Sequence, residues 1–226
     1  MTTPATLVFD LDGTLVDSAP DLMGTLNSIL GDEGVAPLPV EKAHSLLGAG
    51  ARALIERGLA TAGRQVDEAR MEQLFRAFLD RYEARIADET RPFEGVEAVL
   101  RHLSARGDTL AICTNKMERH SHLLLEALGL KPHFAAICGR DTFPYFKPDA
   151  RHLTLTVEKA NGVIARTIMI GDSRTDIDTA RNAGVPSICV DFGYTDKPAH
   201  ELGATRVISH YDEMLAAIDA IAASRA

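Results

Sequence analysis

Hydrophobic positions change character twice along this chain. The run Thr6-Leu7-Val8-Phe9 is too short for a helix, is rich in strand formers, and leads straight into Asp10, Asp12 and a Gly13-Thr14 turn. It predicts a buried strand that delivers two carboxylates to its own carboxyl end. For about seventy residues afterwards the apolar spacing is helical only, broken by Gly and Pro. Met71, Leu74, Phe75, Phe78, Leu79, Tyr82 and Ile86 form one stripe of a long helix, and shorter helical patterns cover 22–30, 39–47 and 51–59. From Gly95 onward short apolar strands alternate with helices. Strands are predicted at 109–113, 135–138, 167–170, 187–190 and 205–208, and helices at 96–104, 121–128, 149–160 and 175–183, followed by an Ala-rich carboxyl-terminal helix.

Repeated strand–helix units make a parallel sheet covered by helices on both faces. The all-helical block behind the first strand reads as an inserted lid, leaving the sheet at 16–19 and returning at 90–93, where Pro92 stiffens the hinge. The expected division is a core of 1–16 and 92–226 with a helical domain of 17–91. Gly107, Gly129 and Gly184 fall just past predicted helices, where a left-handed terminating residue belongs.

The 226 residues, 46% of them hydrophobic, suffice for a large core plus a smaller one. A net charge of -8 excludes broad binding to nucleic acid or anionic membrane, since no excess of Lys and Arg can neutralise a run of phosphates. A small phosphate ester needs only a few local cations. The sequence has neither an apolar run near the ~18 residues of a membrane span nor a basic segment followed by a signal core, and the expected location is cytoplasmic. Cys113, Cys138 and Cys189 each lie in a predicted strand and read as small buried hydrophobes.

In open parallel sheets ligands gather beyond the carboxyl ends of the strands, so the residues that follow each strand matter most. The first strand ends in Asp10 and Asp12, the 109–113 strand in Thr114-Asn115, and the 167–170 strand in Gly171-Asp172-Ser173-Arg174-Thr175-Asp176. Lys147 stands in a loop before Pro148. The set offers a nucleophile, an acid, hydroxyl and amide donors, a cation, and carboxylates for a divalent metal. Asp-x-Asp-Gly alone is also ordinary turn chemistry; the later residues give it meaning.

In this order, Asp10-Leu11-Asp12-Gly13-Thr14, Thr114-Asn115, Lys147-Pro148 and Gly171-Asp172-Ser173 with Asp176 resemble the four motifs of the haloacid dehalogenase superfamily. The resemblance runs across the whole chain. It implies an α/β, Rossmann-like parallel core with an inserted helical cap, and a Mg²⁺-dependent phosphatase acting through an aspartyl-phosphate. Asp10 is then the nucleophile and Asp12 the acid and base. Thr114, the Asn115 amide and Lys147 hold the phosphoryl oxygens, and Asp10, the Asp12 carbonyl and Asp172 hold the metal. Asp176 either reaches the metal or holds Lys147.

Asp12 points to phosphoryl transfer, because displacing a halide needs no acid, and Lys42, the only lysine of the inserted block, lies outside the loop expected to face the site. That loop, Leu46-Leu47-Gly48-Ala49-Gly50-Ala51-Arg52, together with Thr114-Asn115-Lys116 and Gly171-Asp172-Ser173-Arg174-Thr175-Asp176, resembles the phosphoglycolate phosphatase branch. Gly48, Gly50 and Arg52 would there receive a small carboxylate, which makes 2-phosphoglycolate the expected substrate. Arg140, Phe146 and Ala150 depart from the branch beside the site entrance. Sugar phosphates, nucleoside monophosphates and pyrophosphate are the alternative substrates, and a catalytically silent binding module is the alternative role. The chain is expected to be a monomer or homodimer.

Overall fold

Strand β1 (Thr6–Phe9) lies in the middle of a parallel sheet, its side chains alternating between two apolar layers: Leu7 and Phe9 on one face, Val8 on the other. The computed structural model describes residues 4–195 and 197–225. After β1 come β2 (Val16–Asp17), α1 (Ala19–Asp32), α2 (Ala43–Leu46), α3 (Ala51–Thr61), α4 (Glu68–Glu83) and β3 (Arg91–Pro92). The rest alternates as α5 (Val96–Arg106), β4 (Thr109–Cys113), α6 (Glu118–Ala127), β5 (Ala136–Cys138), α7 (Ala150–Lys159), β6 (Thr167–Gly171), α8 (Arg174–Asn182), β7 (Ser187–Val190), β8 (Arg206–Ile208) and α9 (Met214–Ala223).

The sheet order is β5-β4-β1-β6-β7-β8, with every neighbouring pair parallel. Helices α5, α6 and α9 pack on the Leu7 and Phe9 face, α7 and α8 on the Val8 face. This is the α/β architecture expected from the alternating pattern. Register fixes the site: Phe9 is level with Ile112 of β4 and Ile170 of β6, so the residues beyond the three central strands emerge at nearly one height.

Helices α1 to α4 bury a hydrophobic cluster of their own, including Leu26, Ile55, Leu74 and Phe78. The long helix starts where Asp67 accepts a 2.8 Å hydrogen bond from the Arg70 N–H, capping its first turn. It stops at Glu83, short of Ile86, which packs in the following turn against both this cluster and the core. The helix expected over 39–47 is a 3₁₀ turn, Val40–Lys42, followed by the single turn of α2. The single α turn ends at Leu47, whose backbone is extended, just before Gly48 with its φ of +93°. Helix α6 begins earlier than its apolar spacing suggests, because Asp141 accepts from the Glu118 N–H at 2.7 Å.

The two chain crossings between insertion and core pair as a short antiparallel ribbon, Val16 with Pro92 and Asp17 with Arg91. Two-residue strands carry no periodicity, so the sequence did not signal them. The three cysteines are buried and free, and no helix among the described residues is long and apolar enough to cross a membrane.

Asp21 ties the crossings together. Fully buried in α1, it accepts from the Thr90 N–H at 2.8 Å, the Thr90 hydroxyl at 2.7 Å and the Glu89 N–H at 3.0 Å, with Arg85 alongside. Burial pushes its pKa up, but these hydrogen bonds and the Arg85 charge outweigh that and hold it below the ordinary value. Its stabilisation is therefore complete above the unfolded-state pKa of about 3.9 and is lost as pH falls through the lower folded value. Asp21→Ala is expected to cost about 2–4 kcal/mol at pH 7, since it leaves the Thr90 donors buried and unmet. Urea unfolding checks this, with the gap between wild type and Asp21→Asn narrowing as pH drops below the carboxylate range.

Candidate active site

Each strand end contributes one polar group because the buried strands themselves cannot carry it. Asp10 follows β1 directly and its N–H donates to the Ile170 carbonyl at 2.8 Å, locking it to the end of β6. Thr114 follows β4, Asp172 follows β6, and all three side chains are buried. Lys147, in the loop before α7, reaches between them: its Nζ lies 2.9 Å from Asp10 Oδ1 and 2.6 Å from Asp176 Oδ1. Asn115 donates from Nδ2 to the Lys147 carbonyl at 3.2 Å, so the residue after Thr114 steadies the loop that carries the lysine.

Asp176 has both oxygens engaged. Oδ1 takes Lys147, while Oδ2 accepts from the Ser173 N–H at 3.0 Å and the Ser173 hydroxyl at 2.6 Å, as part of the capping box that opens α8. Asp172 accepts from the Thr14 hydroxyl at 3.0 Å and from the Tyr194 N–H at 2.6 Å.

Carboxylate oxygens of Asp10, Asp172 and Asp176 lie within 4.8 Å of one another. Burial pushes Asp10 up to about 6, with Lys147 opposing and the Asp176 charge adding to the rise. Burial, then the charges of Asp176 and Asp10, drive Asp172 well above the usual carboxylate range. Burial disfavours the Lys147 ammonium, yet Asp10 and Asp176 outweigh it and hold the group protonated. The geometry of the Lys147 contact falls short of a hydrogen bond to Asp10 Oδ1, which is left buried and without a donor. Three crowded carboxylates, only Asp10 and Asp176 of them beside the Lys147 ammonium, with a buried oxygen unmet, fit a hard divalent cation.

Asp12 stands apart from this cluster. Its carboxylate accepts from the Ser18 hydroxyl at 2.7 Å and from Lys116 Nζ at 2.9 and 3.0 Å. A cavity of about 640 Å³ opens in front of Asp10 and Asp12, between the core loops and the helical insertion. Gly48, Gly50 and Arg52 line it, as do Thr114 and Asn115. Gly50 has a φ of +89°, and a Cβ there would press to 3.1 Å from the Asn115 carbonyl, so the glycine allows the insertion's loop to touch the core. The Arg52 guanidinium pairs with Glu56 at 3.2 Å and Glu68 at 2.6 Å. At the mouth Arg140 stacks 3.7 Å over the Phe146 ring, joining two of the three residues that depart from the branch pattern.

Residues 7–190 match the family of haloacid dehalogenase-like hydrolases. The phosphoglycolate phosphatase of Caulobacter vibrioides is 50% identical over 92% of this chain and 87% of its own length. The chain belongs to the haloacid dehalogenase-like hydrolases. The Mesorhizobium japonicum phosphoglycolate phosphatase is 47% identical over 92% of each chain. A crystal structure of a predicted phosphoglycolate phosphatase from Haemophilus somnus superposes with a TM-score of 0.88 at 28% identity, covering 96% of this chain and 98% of that one.

Thr14, Ser18, Lys116 and Tyr194 are among the contributors to this hydrolase's site to which the sequence pattern gives no role. Lys116 carried a signal, since a lysine directly after a strand-end Thr-Asn pair has little room to reach solvent. Tyr194 carried none: its N–H holds Asp172 while its hydroxyl bonds Asp17 and the Ala19 N–H, across about 175 residues of chain. Gly171 is equally position-bound, because a Cβ there would collide with the Asp176 side chain. Gly171→Ala is expected to leave the circular dichroism of the fold intact while lowering hydrolysis of p-nitrophenyl phosphate by about tenfold or more, as Asp176 and Lys147 move together.

Proposed function

We propose that this hydrolase removes phosphate from a small phosphate monoester, 2-phosphoglycolate above all, at Asp10. The observation that carries the reading is the placement of Asp10 against Lys147 at 2.9 Å, beside Thr114 and the acidic cluster, at the floor of a cavity shared with Asp12. The curated relatives' activity and the Gly48 and Gly50 loop on that cavity support the substrate; Arg52 lines the cavity too, paired with Glu56 and Glu68. We assign 17–91 as a cap domain over a core of 1–16 and 92–226; the separate apolar cluster and the two-strand ribbon at the crossings support that division.

A dianionic ester repels a carboxylate, so attack requires positive charge at the same place. Asp10, the Asp12 backbone carbonyl and Asp172 would hold Mg²⁺, which supplies that charge when bound. Lys147 and the Thr114 hydroxyl steady the phosphoryl oxygens, together with the Asn115 amide. An Asp10 oxygen bonds phosphorus as the ester P–O bond breaks, and Asp12 gives its proton to the departing alkoxide. Asp12 then takes a proton from water, the hydroxide attacks phosphorus, and Asp10 is released with inorganic phosphate. Asp176, with both oxygens engaged, serves to aim Lys147.

One observation favours a second reading. The cavity, at about 640 Å³, is far roomier than a glycolate requires, and the Arg140–Phe146 stack at its mouth suits a larger ester such as a sugar phosphate or nucleotide. Phosphate release from a panel of esters, with Mg²⁺ and again with EDTA, separates the two: we expect metal-dependent turnover with the highest kcat/KM on 2-phosphoglycolate. A larger ester ahead of it would keep the chemistry and replace the substrate; activity untouched by EDTA would overturn the metal. Asp10→Asn should fold normally and lose at least about 10³-fold in kcat, and a clean, well-folded variant that still turns over would remove Asp10 from the nucleophile's role.

A further inference from the structure

Lys116 is nearly as buried as Lys147, yet it touches none of the three clustered carboxylates of Asp10, Asp172 and Asp176. Its ammonium has three protons and three acceptors: Asp12 Oδ1 at 2.9 Å, Asp12 Oδ2 at 3.0 Å and the Tyr82 hydroxyl at 2.8 Å. Tyr82 belongs to the last turn of α4, in the helical insertion, and is itself buried against Phe78. The Nζ also sits 4.4 Å from the Tyr82 ring centroid, so ring and hydroxyl both hold it. The same end of α4 is seated on the core by Glu83 with Arg119 at 2.6 Å and by the Leu79 carbonyl against His120 at 3.2 Å.

The other partner of the Asp12 carboxylate is the Ser18 hydroxyl, in the residue before α1. Both anchors of Asp12 therefore come from the boundaries of the helical insertion: Ser18 where the chain enters it, and Lys116 through Tyr82 near where it leaves. A carboxylate gripped at both oxygens has one orientation, whereas an ungripped side chain on a loop samples several. Proton transfer to a leaving group depends steeply on such placement.

We propose that Lys116 is a positioning residue for Asp12 and is itself held by Tyr82, so that the seat of helix α4 on the core governs leaving-group protonation without α4 touching the reacting atoms. This rests on the reading of Asp12 as the acid and base. Lys116 acts on the step that needs Asp12's proton, and leaves the attack by Asp10 to Lys147 and the strand ends.

The test compares Lys116→Met, Lys116→Arg and Tyr82→Phe on three esters: 2-phosphoglycolate, ethyl phosphate and p-nitrophenyl phosphate. kcat/KM reports the steps through departure of the leaving group, and p-nitrophenolate leaves without a proton. Lys116→Met should lower kcat/KM by about 30-fold or more on both alkyl esters and far less on p-nitrophenyl phosphate, while kcat falls on all three because Asp12 also serves the shared water step. Lys116→Arg should recover most of the loss, and Tyr82→Phe, the gentler change, should show the same pattern at about three- to tenfold. Amide exchange across 78–83 should rise in Lys116→Met.

Equal losses of kcat/KM on ethyl and p-nitrophenyl phosphate would overturn the proposal, as would unchanged exchange in α4. A loss on 2-phosphoglycolate with ethyl phosphate spared would also overturn it, and would make Lys116 a ligand of the substrate's carboxylate. Wild type inactive on all three esters would sink the phosphatase reading and this proposal together; turnover with losses independent of the leaving group sinks this one alone.

Discussion

The Lys147 ammonium bridges Asp10 and Asp176, and in doing so it joins three segments that are remote in sequence: the end of β1, the loop before α7 and the first turn of α8. A buried charge without a partner is costly enough that none of these segments can settle alone. The contact is therefore a constraint on the fold as much as a feature of the site. It requires β1 and β6 to be neighbours and the crossover through α7 to return on the correct face, which the parallel register of Phe9 with Ile170 provides. Even so, three clustered carboxylates with one lysine among them keep an excess of negative charge in the protein's interior. A sequence selected for stability alone would not hold Asp10 and Asp172 above their ordinary pKa. The surplus is what a bound cation and a phosphoryl group are suited to use.

Much of the architecture was legible because apolar spacing and burial obey the same periods. Leu7, Phe9, Leu110 and Ile112 face one layer and Val8, Ala111 and Cys113 the other, as strands buried on both faces must. The pattern failed where backbone chemistry decided instead. The expected 39–47 helix is a 3₁₀ turn and one α turn that stops at the extended backbone of Leu47, and Asp141 extended α6 backwards by capping Glu118 from across a loop. The β2–β3 ribbon was invisible because two residues have no period, although Val16 and Pro92 at its centre fall in the segments where the chain was expected to leave and re-enter the sheet.

The site divides along a similar line. Residues that end strands could be found from order alone, since a polar group directly after a buried strand has one place to be. Residues that support them from elsewhere could not. Tyr194 and Thr14 fix Asp172, and Ser173 occupies Asp176, through bonds that depend on the finished packing. Tyr82 is the clearest case: its position in the α4 stripe marked it as core, and it is core, but its hydroxyl emerges at the edge of that core to meet Lys116. An aromatic stripe hides such a group, because periodicity reports the ring and not the oxygen on it.

These two kinds of support give the halves of the proposed reaction different mechanical origins. The phosphoryl side rests on strand ends, the Lys147 loop and the α8 capping box, gathered at one edge of the sheet and hard to displace without breaking buried ion pairs. The leaving-group side rests on Asp12, whose carboxylate is held by Ser18, at the entry to the helical segment, and by Lys116, a core residue that Tyr82 of that segment holds in turn. A rigid phosphate site suits every substrate equally, because every monoester presents the same group. What differs between esters is the part that leaves, and that part meets the segment with its own apolar core and its own loop on the cavity.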